Sequence, residues 1–411
     1  MVETPSKLTQ AQLVLPLLNT IYDMGGAARP CEAIETLTER LHVPAQVIDR
    51  VDFRKSGKWQ GTKYSPWKST VHWARLEAVK QGFLTGEHGK WELSDKGYDG
   101  LGRCKPGVVI KLYETPNGEF LWAEAESVVR MVKDNSVNLI FTSPPYKLQG
   151  VKRQYGNKTS DYIQWLTGLT HEWKRVLTPD GSLVVNLGEV WLPETGGMRD
   201  PYIYRYLLAA IDEVGLQFCD IHNWLNTSGG PRGACVTQAR TRLNNTVEPL
   251  LWLSKGMKPK ANNRNVLQPY KQSTIDTYAR KAARARTYAN PSGRNSNGTA
   301  DPAKTGGAIP STCLQFPNAT SCDAYIRGCK EAGLPVHPAR FPAKLAEFHI
   351  NFLTDKGDLV MDNLAGSNTV GEAAEKLGRR WISNDIMRAY GEGSMFRPGL
   401  AHAERCDLIA A

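Results

Sequence analysis

The chain has 411 residues, of which 41% are hydrophobic, so it can form two or three domains with substantial cores. No uninterrupted apolar stretch reaches membrane-spanning length, and the first residues lack the apolar segment of a secretion signal, which excludes a membrane protein and favours a cytoplasmic one. The formal net charge is +10, and residues 255–304 hold eleven Lys or Arg against two acids, which favours a polyanionic partner.

Eight cysteines are spread along the chain without a Cys-x-x-Cys pair. This spacing indicates neither a zinc site nor a disulfide framework. We therefore expect reduced thiols and no bound metal.

The first 103 residues are predicted to form a separate, mainly helical module. The spacing of apolar residues predicts helices at residues 8–22, 31–41, 45–51 and 66–81. Gly82 ends the last of these helices, and residues 83–94 have the pattern of a β-hairpin. We expect Trp73 and Leu76 in the core of the module and a linker at residues 100–107.

Helices followed by a small hairpin are typical of a winged helix. The run from Trp73 to Leu93 resembles the N-terminal winged-helix domain of some restriction-modification proteins. The resemblance implies DNA binding, with a protein-protein or dimerisation module as the alternative. The side chains that it places against DNA phosphates are those of Lys63, Lys68, His72 and Arg75.

A buried strand is predicted to end abruptly at the segment Thr142-Ser143-Pro144-Pro145-Tyr146, which follows the apolar run Leu139-Ile140-Phe141. Two consecutive prolines cannot continue a strand ladder, so the turn projects Ser143 and Tyr146 from the carboxyl end of the strand. Ligands of open α/β sheets bind at that end.

The chemistry of this turn suits a flat heterocycle that carries an exocyclic amine. The Ser143 oxygen and the Pro144 carbonyl can accept both amine hydrogens, while the Tyr146 ring stacks on the heterocycle. Such acceptors draw the amine nitrogen towards a reactive tetrahedral geometry, and no covalent enzyme intermediate is needed. The alternative is a rigid loop after a buried strand, and the segments that accompany the turn decide between the two.

A βαβ unit is predicted more than 200 residues downstream. Residues 357–369 give a short buried strand and a turn of small residues, followed by a helix to Gly378 and a strand over 380–386. Small residues in the first turn let a ligand approach the helix N-terminus, and an acid that ends the second strand can bind ribose hydroxyls. Asp385 follows Asp362 by 23 residues, close to the spacing of about 20 expected for that acid.

Together, the two segments resemble the amino-group DNA methyltransferases in the permuted order, in which the catalytic motif precedes the target-recognition region and the S-adenosylmethionine motif comes last. The resemblance spans about residues 108–390. It implies an α/β fold with a Rossmann-like, S-adenosylmethionine-dependent methyltransferase sheet that is parallel with an antiparallel end strand. The implied parts are a catalytic half at 108–256, a target-recognition insertion at 257–335 and a cofactor-binding half at 336–411.

The resemblance also implies roles for individual residues. The implied catalytic residues are Ser143, Pro144, Pro145, Tyr146 and Glu189. The implied cofactor-binding residues are Asp362, Asn363, Leu364, Ala365, Gly366, Ser367, Thr369, Asp385, Glu124, Phe341 and Lys344. Glu189 is expected as an acid beside the target base, and residues 337–345 as the segment that flanks the cofactor. Segments 215–224 and 247–255 correspond to the terminal antiparallel strands, and a closing helix with a ragged tail is expected after Asp385.

The cofactor turn departs from the family pattern, because Asn363, Leu364 and Asn368 replace the usual Pro, Phe and Gly. Asn tolerates positive φ, so Asn368 can keep the turn. Glu124 takes the place of the usual Gly-Asp strand end and offers an acid that is one methylene longer. A non-catalytic DNA-binding protein with a decayed methyltransferase fold therefore stays an alternative, whereas the missing Gly-x-Gly-x-x-Gly turn disfavours a dehydrogenase.

Ser143 favours cytosine N4 as the methyl acceptor, since the family pairs serine mostly with that base, and leaves adenine N6 as the alternative. Cytosine C5 chemistry needs a thiolate nucleophile, and no cysteine is placed for it. We expect direct transfer from S-adenosylmethionine to a base flipped out of the duplex. The implied partners are double-stranded DNA and a separately encoded restriction nuclease, with the protein a monomer or homodimer.

The basic segment lies where the family inserts its target-recognition region. A helix with Arg280 and Arg284 one turn apart, followed by a Gly/Asn/Ser loop, suits contacts with the DNA backbone and base edges, and a solvated surface is the alternative. The predicted DNA-binding side chains are those of Arg280, Lys281, Arg284, Arg286, Arg294, Lys68 and Arg75.

Overall fold

The computed structural model describes residues 10–56, 60–86, 89–146, 159–192, 197–226, 228, 233–282, 305–318 and 323–409. The strands are β1 Ala27–Ala28, β2 Asp52–Phe53, β3 Lys63–Tyr64, β4 Trp91–Glu92, β5 Val109–Thr115, β6 Gly118–Ala123, β7 Val137–Thr142, β8 Leu177–Asn186, β9 Gln217–Leu225, β10 Val247–Ser254, β11 Cys313–Gln315, β12 Leu359–Asp362, β13 Arg380–Asp385 and β14 Glu404–Ile409. The α-helices are α1 Gln10–Asp23, α2 Pro30–Arg40, α3 Ala45–Ile48, α4 Pro66–Lys80, α5 Asp95–Gly100, α6 Ala125–Met131, α7 Thr159–Val176, α8 Tyr202–Asp212, α9 Ala234–Thr237, α10 Gln272–Ala282, α11 Ala324–Glu331, α12 Ala343–Leu353, α13 Thr369–Lys376 and α14 Arg388–Ser394. Two 3-10 helices lie at Asn263–Val266 and Pro398–Leu400.

Ten strands form one sheet in the order β11-β9-β10-β8-β7-β12-β13-β6-β5-β14. The five central strands, from β8 to β6, run parallel, which confirms the predicted parallel sheet. Antiparallel pairs lie on both sides of this centre, so they are not limited to one end as predicted. The predicted ragged tail is wrong, because β14 pairs with β5 and gives the backbone groups along that edge hydrogen-bond partners.

Helices cover both faces of the sheet. One face packs against α6, α7 and α8, and the other packs against α12 and α13. A strand that is buried on both faces needs apolar residues in succession rather than in alternation. This explains the apolar run of β7, in which every residue except Asn138 is buried. None of the described helices combines the length and apolar composition that a membrane span needs.

The N-terminal module packs α4 against α1. The buried residues Trp67, Val71 and Ala74 recur at intervals of four and three along α4 and form its inward stripe. Trp73 and Leu76 lie outside this stripe, with 53% and 41% of their surfaces exposed. The prediction that these two side chains are in the core is therefore wrong.

The module is held against the large sheet. The segment 100–107, predicted as a linker, is docked, because the buried Cys104 donates its N–H to the Ile386 carbonyl at 2.8 Å. Arg388, at the start of α14, also binds Asp23 of α1 at 2.9 Å. The seven cysteines within the described ranges are free thiols.

Candidate active site

The carboxyl ends of the parallel strands bring two polar turns together. Met361 of β12 lies opposite Ile140 of β7, so Asp362 and Thr142 end neighbouring strands at the same edge. Paired strands lie roughly 5 Å apart. The Ser-Pro-Pro-Tyr turn that follows Thr142 and the small-residue turn that follows Asp362 therefore meet, as predicted from the sequence.

The first turn is fixed by hydrogen bonds that leave two acceptors at the edge. Ser143 is partly exposed, and its hydroxyl donates to the Asn186 carbonyl at 3.3 Å. The Tyr162 hydroxyl donates to the Pro145 carbonyl at 2.9 Å. Within the described part of the chain no donor reaches the Pro144 carbonyl. The Ser143 oxygen and the carbonyl of the buried Pro144 thus keep acceptor capacity, and their contact with an amine stays a prediction.

Tyr146 is held at both its ring and its hydroxyl. The hydroxyl oxygen lies 3.0 Å from Asn186 Oδ1 and 2.7 Å from Glu248 Oε2. The ring lies against Gly188, where an added Cβ would come within 2.1 Å of a ring carbon. Burial raises the pKa of the Glu248 carboxyl, although the hydrogen bonds from Tyr146 and Asn186 oppose the shift.

Sequence reasoning did not identify Asn186 or Glu248 as site residues. Asn186 ends β8 beside the Ser-Pro-Pro-Tyr turn. Glu248 comes from β10, where a charged side chain in an otherwise apolar strand was the available signal. Glu189, the predicted acid, forms an ion pair with Arg199 and accepts from Asn245 Nδ2 at 3.0 Å. The acid that contacts Tyr146 is Glu248, and a contact between Glu189 and a base stays a prediction.

Two carboxyl groups border the second turn, Asp362 at its start and Asp385 at the end of the neighbouring strand β13. Burial raises the pKa of Asp362 to about 7. Burial also raises the pKa of Asp385 to about 6, although Asp385 accepts backbone N–H bonds from Gly366 at 2.9 Å and Met387 at 2.8 Å. Asp385 is partly exposed at the end of β13, as expected of a group that binds ribose hydroxyls.

Asn368 has the left-handed conformation that the sequence predicted, with φ of 55°. Its side chain caps α13 by accepting from the Gly371 N–H at 3.1 Å. Gly366 also has a positive φ of 50°, and a Cβ there would lie 2.8 Å from Nε2 of His337. Both positions keep the turn tight against the segment 337–345.

The side chain of Asn363 serves the interior rather than the cleft. Its amide donates to Asn384 Oδ1 at 2.8 Å and to the Ala125 carbonyl at 3.1 Å, and it accepts from Trp173 Nε1 at 2.9 Å. Because its side chain makes these bonds and the whole residue is buried, the side chain of Asn363 is not available to a cofactor, and its predicted cofactor contact stays a prediction. The neighbouring Leu364 is partly exposed and Ala365 is buried.

Arg397 clamps the second turn and was missed by sequence reasoning. Its guanidinium donates to the Ser367 carbonyl, and to the hydroxyls of Ser367 and Thr369 at 2.8 Å each. It also pairs with Glu372 at 2.7 Å. Arg397 lies 30 residues after Ser367 in the chain, and no local pattern marks it.

The remaining predicted cofactor residues lie around the same edge. Phe341 is partly exposed, and its ring contacts that of Phe141 in β7, with centroids 5.3 Å apart. Lys344 is exposed on the first turn of α12. Glu124 is the N-cap residue of α6, and burial raises its pKa.

The predicted DNA-binding residues are only partly described. Arg280 is exposed on α10 and donates to the Asp276 carbonyl at 3.2 Å. Lys281 lies on the same helix, but its side chain is outside the description, and so are the residues Arg284, Arg286 and Arg294. In the N-terminal module Lys68 is exposed on α4 and Arg75 is partly buried.

A parallel sheet with a Ser-Pro-Pro-Tyr turn and a strand-turn-helix unit at one edge defines the class of amino-group methyltransferases. A family model described as DNA methylase matches residues 137–395. The chain belongs to this N6/N4 DNA methylase family, which confirms the predicted family and the mostly parallel sheet.

Individual relatives cover most of the chain. The type II methyltransferase M.PvuII of Proteus hauseri is 35% identical over 287 residues, which are 69% of this chain and 84% of that protein. The type II methyltransferase M.HpaI of Haemophilus parainfluenzae is 25% identical over 276 residues, 66% of this chain and 70% of that protein. A solved structure titled PvuII DNA methyltransferase (cytosine-N4-specific) has a TM-score of 0.57 and 32% identity, and covers 70% of this chain and 89% of its own.

Proposed function

We propose that this chain methylates the N4 amine of cytosine at a specific site in duplex DNA, with S-adenosylmethionine as the methyl donor. The observation that carries the proposal is the meeting of the Ser143–Tyr146 turn and the Asp362–Thr369 turn on neighbouring strands. A cofactor at one turn and a base at the other then share one cleft, where orientation of the two reactants supplies much of the rate.

The residues of the second turn fit the cofactor. Asp385 offers a carboxylate for ribose hydroxyls, while Phe341 and Leu364 offer partly exposed apolar surface beside it. Gly366 has a positive φ and lies close to His337, so this position in the turn requires a residue without a Cβ. When bound, S-adenosylmethionine supplies an electrophilic methyl group on its sulfonium.

The residues of the first turn fit the base. The Ser143 oxygen and the Pro144 carbonyl accept the two amine hydrogens, and the Tyr146 ring stacks on the base after it leaves the duplex. Cytosine N4 is favoured by Ser143 and by the similarity to the solved cytosine-N4-specific methyltransferase.

The base and the site are tested together by expressing the chain in a host without DNA methylation and sequencing the DNA with detection of modified bases. We expect N4-methylcytosine at one recognition sequence. N6-methyladenine would overturn the assignment of the base, and unmodified DNA would overturn the enzymatic function. A separately encoded nuclease that cuts the same unmodified sequence is the partner that this function implies.

Ser143→Ala and Tyr146→Ala are expected to bind S-adenosylmethionine as the wild type does and to lose about 100-fold in methyl transfer, because the groups that they remove lie in the proposed base site and not in the cofactor turn. Calorimetric titration measures the first property and a tritium-transfer assay the second. Unchanged turnover in either variant contradicts the base site. No heat with the wild type would instead favour a decayed, non-catalytic fold.

We also propose that the N-terminal module is a winged helix that contacts DNA, and that residues 257–335 form the target-recognition insertion. The order α1, β1, α2, α4 and a hairpin strand β4 that returns to β1 supports the winged helix. Exposed Lys68 on α4 and Arg280 on α10 supply positive charge on the two parts.

Lys68→Ala and Arg280→Ala are each expected to lower the slope of log binding constant against log salt by about one, since each removes one phosphate contact. Lys133→Ala, a charge change on another exposed surface, is the control. An unchanged slope for Lys68→Ala, measured by fluorescence anisotropy with duplex DNA, would favour a protein-protein role for the module.

A further inference from the structure

Glu248 is an acid at the active site, and among the described residues no cation pairs with it. It lies on β10, where its backbone pairs with Trp224 of β9, and its carboxyl reaches the hydroxyl of Tyr146. Tyr202 of α8 also lies near the carboxyl, with Asp200 close to that tyrosine. In the part of the chain that the structure describes, no Lys, Arg or His side chain forms an ion pair with Glu248.

The hydrogen bonds around Tyr146 need one more proton than its hydroxyl carries. Asn186 Nδ2 donates to the Pro249 carbonyl at 3.2 Å, so the amide atom that faces Tyr146 must be the acceptor Oδ1. The Tyr146 oxygen is within hydrogen-bond distance of both that acceptor and Glu248, but a hydroxyl donates only once. Both contacts are hydrogen bonds only when Glu248 carries a proton and donates it to Tyr146.

We propose that Glu248 is a positioning residue that works as a neutral carboxylic acid: it donates to Tyr146, which donates to Asn186, and this chain fixes the ring on which the base stacks. The inference rests on the proposed function of the Ser-Pro-Pro-Tyr turn and deepens it. Glu248 acts through Tyr146 and touches neither the base nor the cofactor.

Burial favours the neutral acid, since it raises the pKa of Glu248 above its ordinary value of 4.5, although hydrogen bonds from Tyr146 and Asn186 oppose the shift. When Glu248 ionises, Tyr146 turns its proton to the carboxylate and releases Asn186. The loss of one neutral hydrogen bond corresponds to about a fivefold fall in kcat. Because the pKa is raised, the working form is present at low pH, and kcat falls as the pH rises through that pKa.

Glu248→Gln tests this, because the amide donates to Tyr146 at every pH. We expect the variant to keep the kcat that the wild type has at low pH and to lose the alkaline fall of about fivefold. Glu114→Gln, the same change in an exposed pair with Lys111 on β5, is expected to follow the wild-type profile. A loss of tenfold or more in Glu248→Gln at every pH would show that the ionised acid is needed and would overturn the proposal.

Tyr146→Phe removes the link through which Glu248 acts. In that background, Glu248→Gln is expected to leave both kcat and its pH profile unchanged. An effect of Glu248→Gln that persists without the Tyr146 hydroxyl would overturn the positioning role.

Carbon-13 NMR of wild-type protein labelled at the glutamate side-chain carboxyls needs neither methyl transfer nor a folded Glu248 variant. We expect a carboxyl resonance that titrates above 4.5 and shifts in Tyr146→Phe. The same resonance should persist in Glu124→Gln, which removes the other active-site glutamate whose pKa burial raises. Absence of such a resonance overturns the neutral acid. If the wild-type protein shows that resonance but transfers no methyl group, the proposed function is wrong and the neutral state of Glu248 is not.

Discussion

At Asp385, burial and hydrogen bonding act in opposite directions. Burial in the edge of the sheet disfavours the carboxylate, while the N–H groups of Met387 and Gly366 stabilise it. The outcome is a pKa of about 6, above the ordinary value of 3.8. A ribose diol donates hydrogen bonds, so it binds the ionised carboxyl better than the protonated one.

The affinity for S-adenosylmethionine is therefore expected to fall about tenfold between pH 8 and pH 5, since at pH 5 about a tenth of Asp385 is ionised. Asp385→Asn should bind weakly at both pH values, and Asp355→Asn, a change at an exposed ion pair, should follow the wild type. Calorimetric titration across this range measures the affinities. A tenfold fall that persists in Asp385→Asn would assign the titration to another group, such as Asp362.

Residues that lie in the motif itself could be predicted from the sequence. Ser143 directly follows the buried strand β7 and Asp385 is the last residue of β13, so the strand ends place both at the ligand edge. Glu248 and Arg397 could not be predicted in the same way, because tertiary packing brings them from β10 and from beyond α14. The interior role of Asn363 was also out of reach, since its partners Asn384 and Trp173 come from two other elements.

Among the elements, the turn between β12 and α13 depends most on a distant group. Arg397 supplies donors to a carbonyl and two hydroxyls of this turn and neutralises Glu372, with only 6% of its surface exposed. Removal of the guanidinium takes a donor from these acceptors and leaves the carboxylate of Glu372 without its cation. Breaking a buried ion pair in this way costs several kcal/mol of folding free energy.

Arg397→Met keeps the length of the side chain and removes its donors. We expect the free energy of unfolding to fall by about 3 kcal/mol and the dissociation constant of S-adenosylmethionine to rise at least tenfold. Arg380→Met, at an exposed residue that donates to the Gly357 carbonyl, is the matched control and should change either quantity little. Denaturant unfolding and calorimetry give the two values, and equal effects of the two variants would show that Arg397 is not a special clamp.

Elements with a strong apolar pattern could be predicted from the sequence. A strand that depends on an open sheet edge, or a helix with two apolar stripes, could not. The run of β7 and the helical spacing of α1 gave their elements close to the observed bounds. On α4 the sequence offers two apolar stripes, and packing against α1 selects the one that contains Trp67. β14 pairs with β5 because β5 offers an open edge of the sheet, and no local sequence pattern reveals that edge.

At the scale of the whole molecule, the N-terminal module and the large sheet meet at the helix that follows Asp385. The Arg388 guanidinium binds Asp23 of the module and Glu392 of its own helix, and it lies over the rings of Tyr22 and Trp122. The sequence predicts a separate N-terminal part, but it does not reveal this junction, because the junction joins residues 365 positions apart. The position of the module relative to the cofactor edge therefore depends on this nearly buried cation together with the docked segment that contains Cys104.

Arg388→Met is expected to lower the free energy of unfolding by about 2 kcal/mol, because it removes a buried partner of Asp23. The loss is moderate because Arg40 still pairs with Asp23. We also expect faster proteolysis of the segment 100–107. Arg50→Met, which breaks an exposed pair with Asp52, should cost less than about 0.5 kcal/mol and leave proteolysis unchanged. Denaturant unfolding with limited proteolysis separates the two effects. If both variants lose the same small amount of stability and segment 100–107 stays protected in each, the buried packing of Cys104 rather than Arg388 holds the module to the sheet.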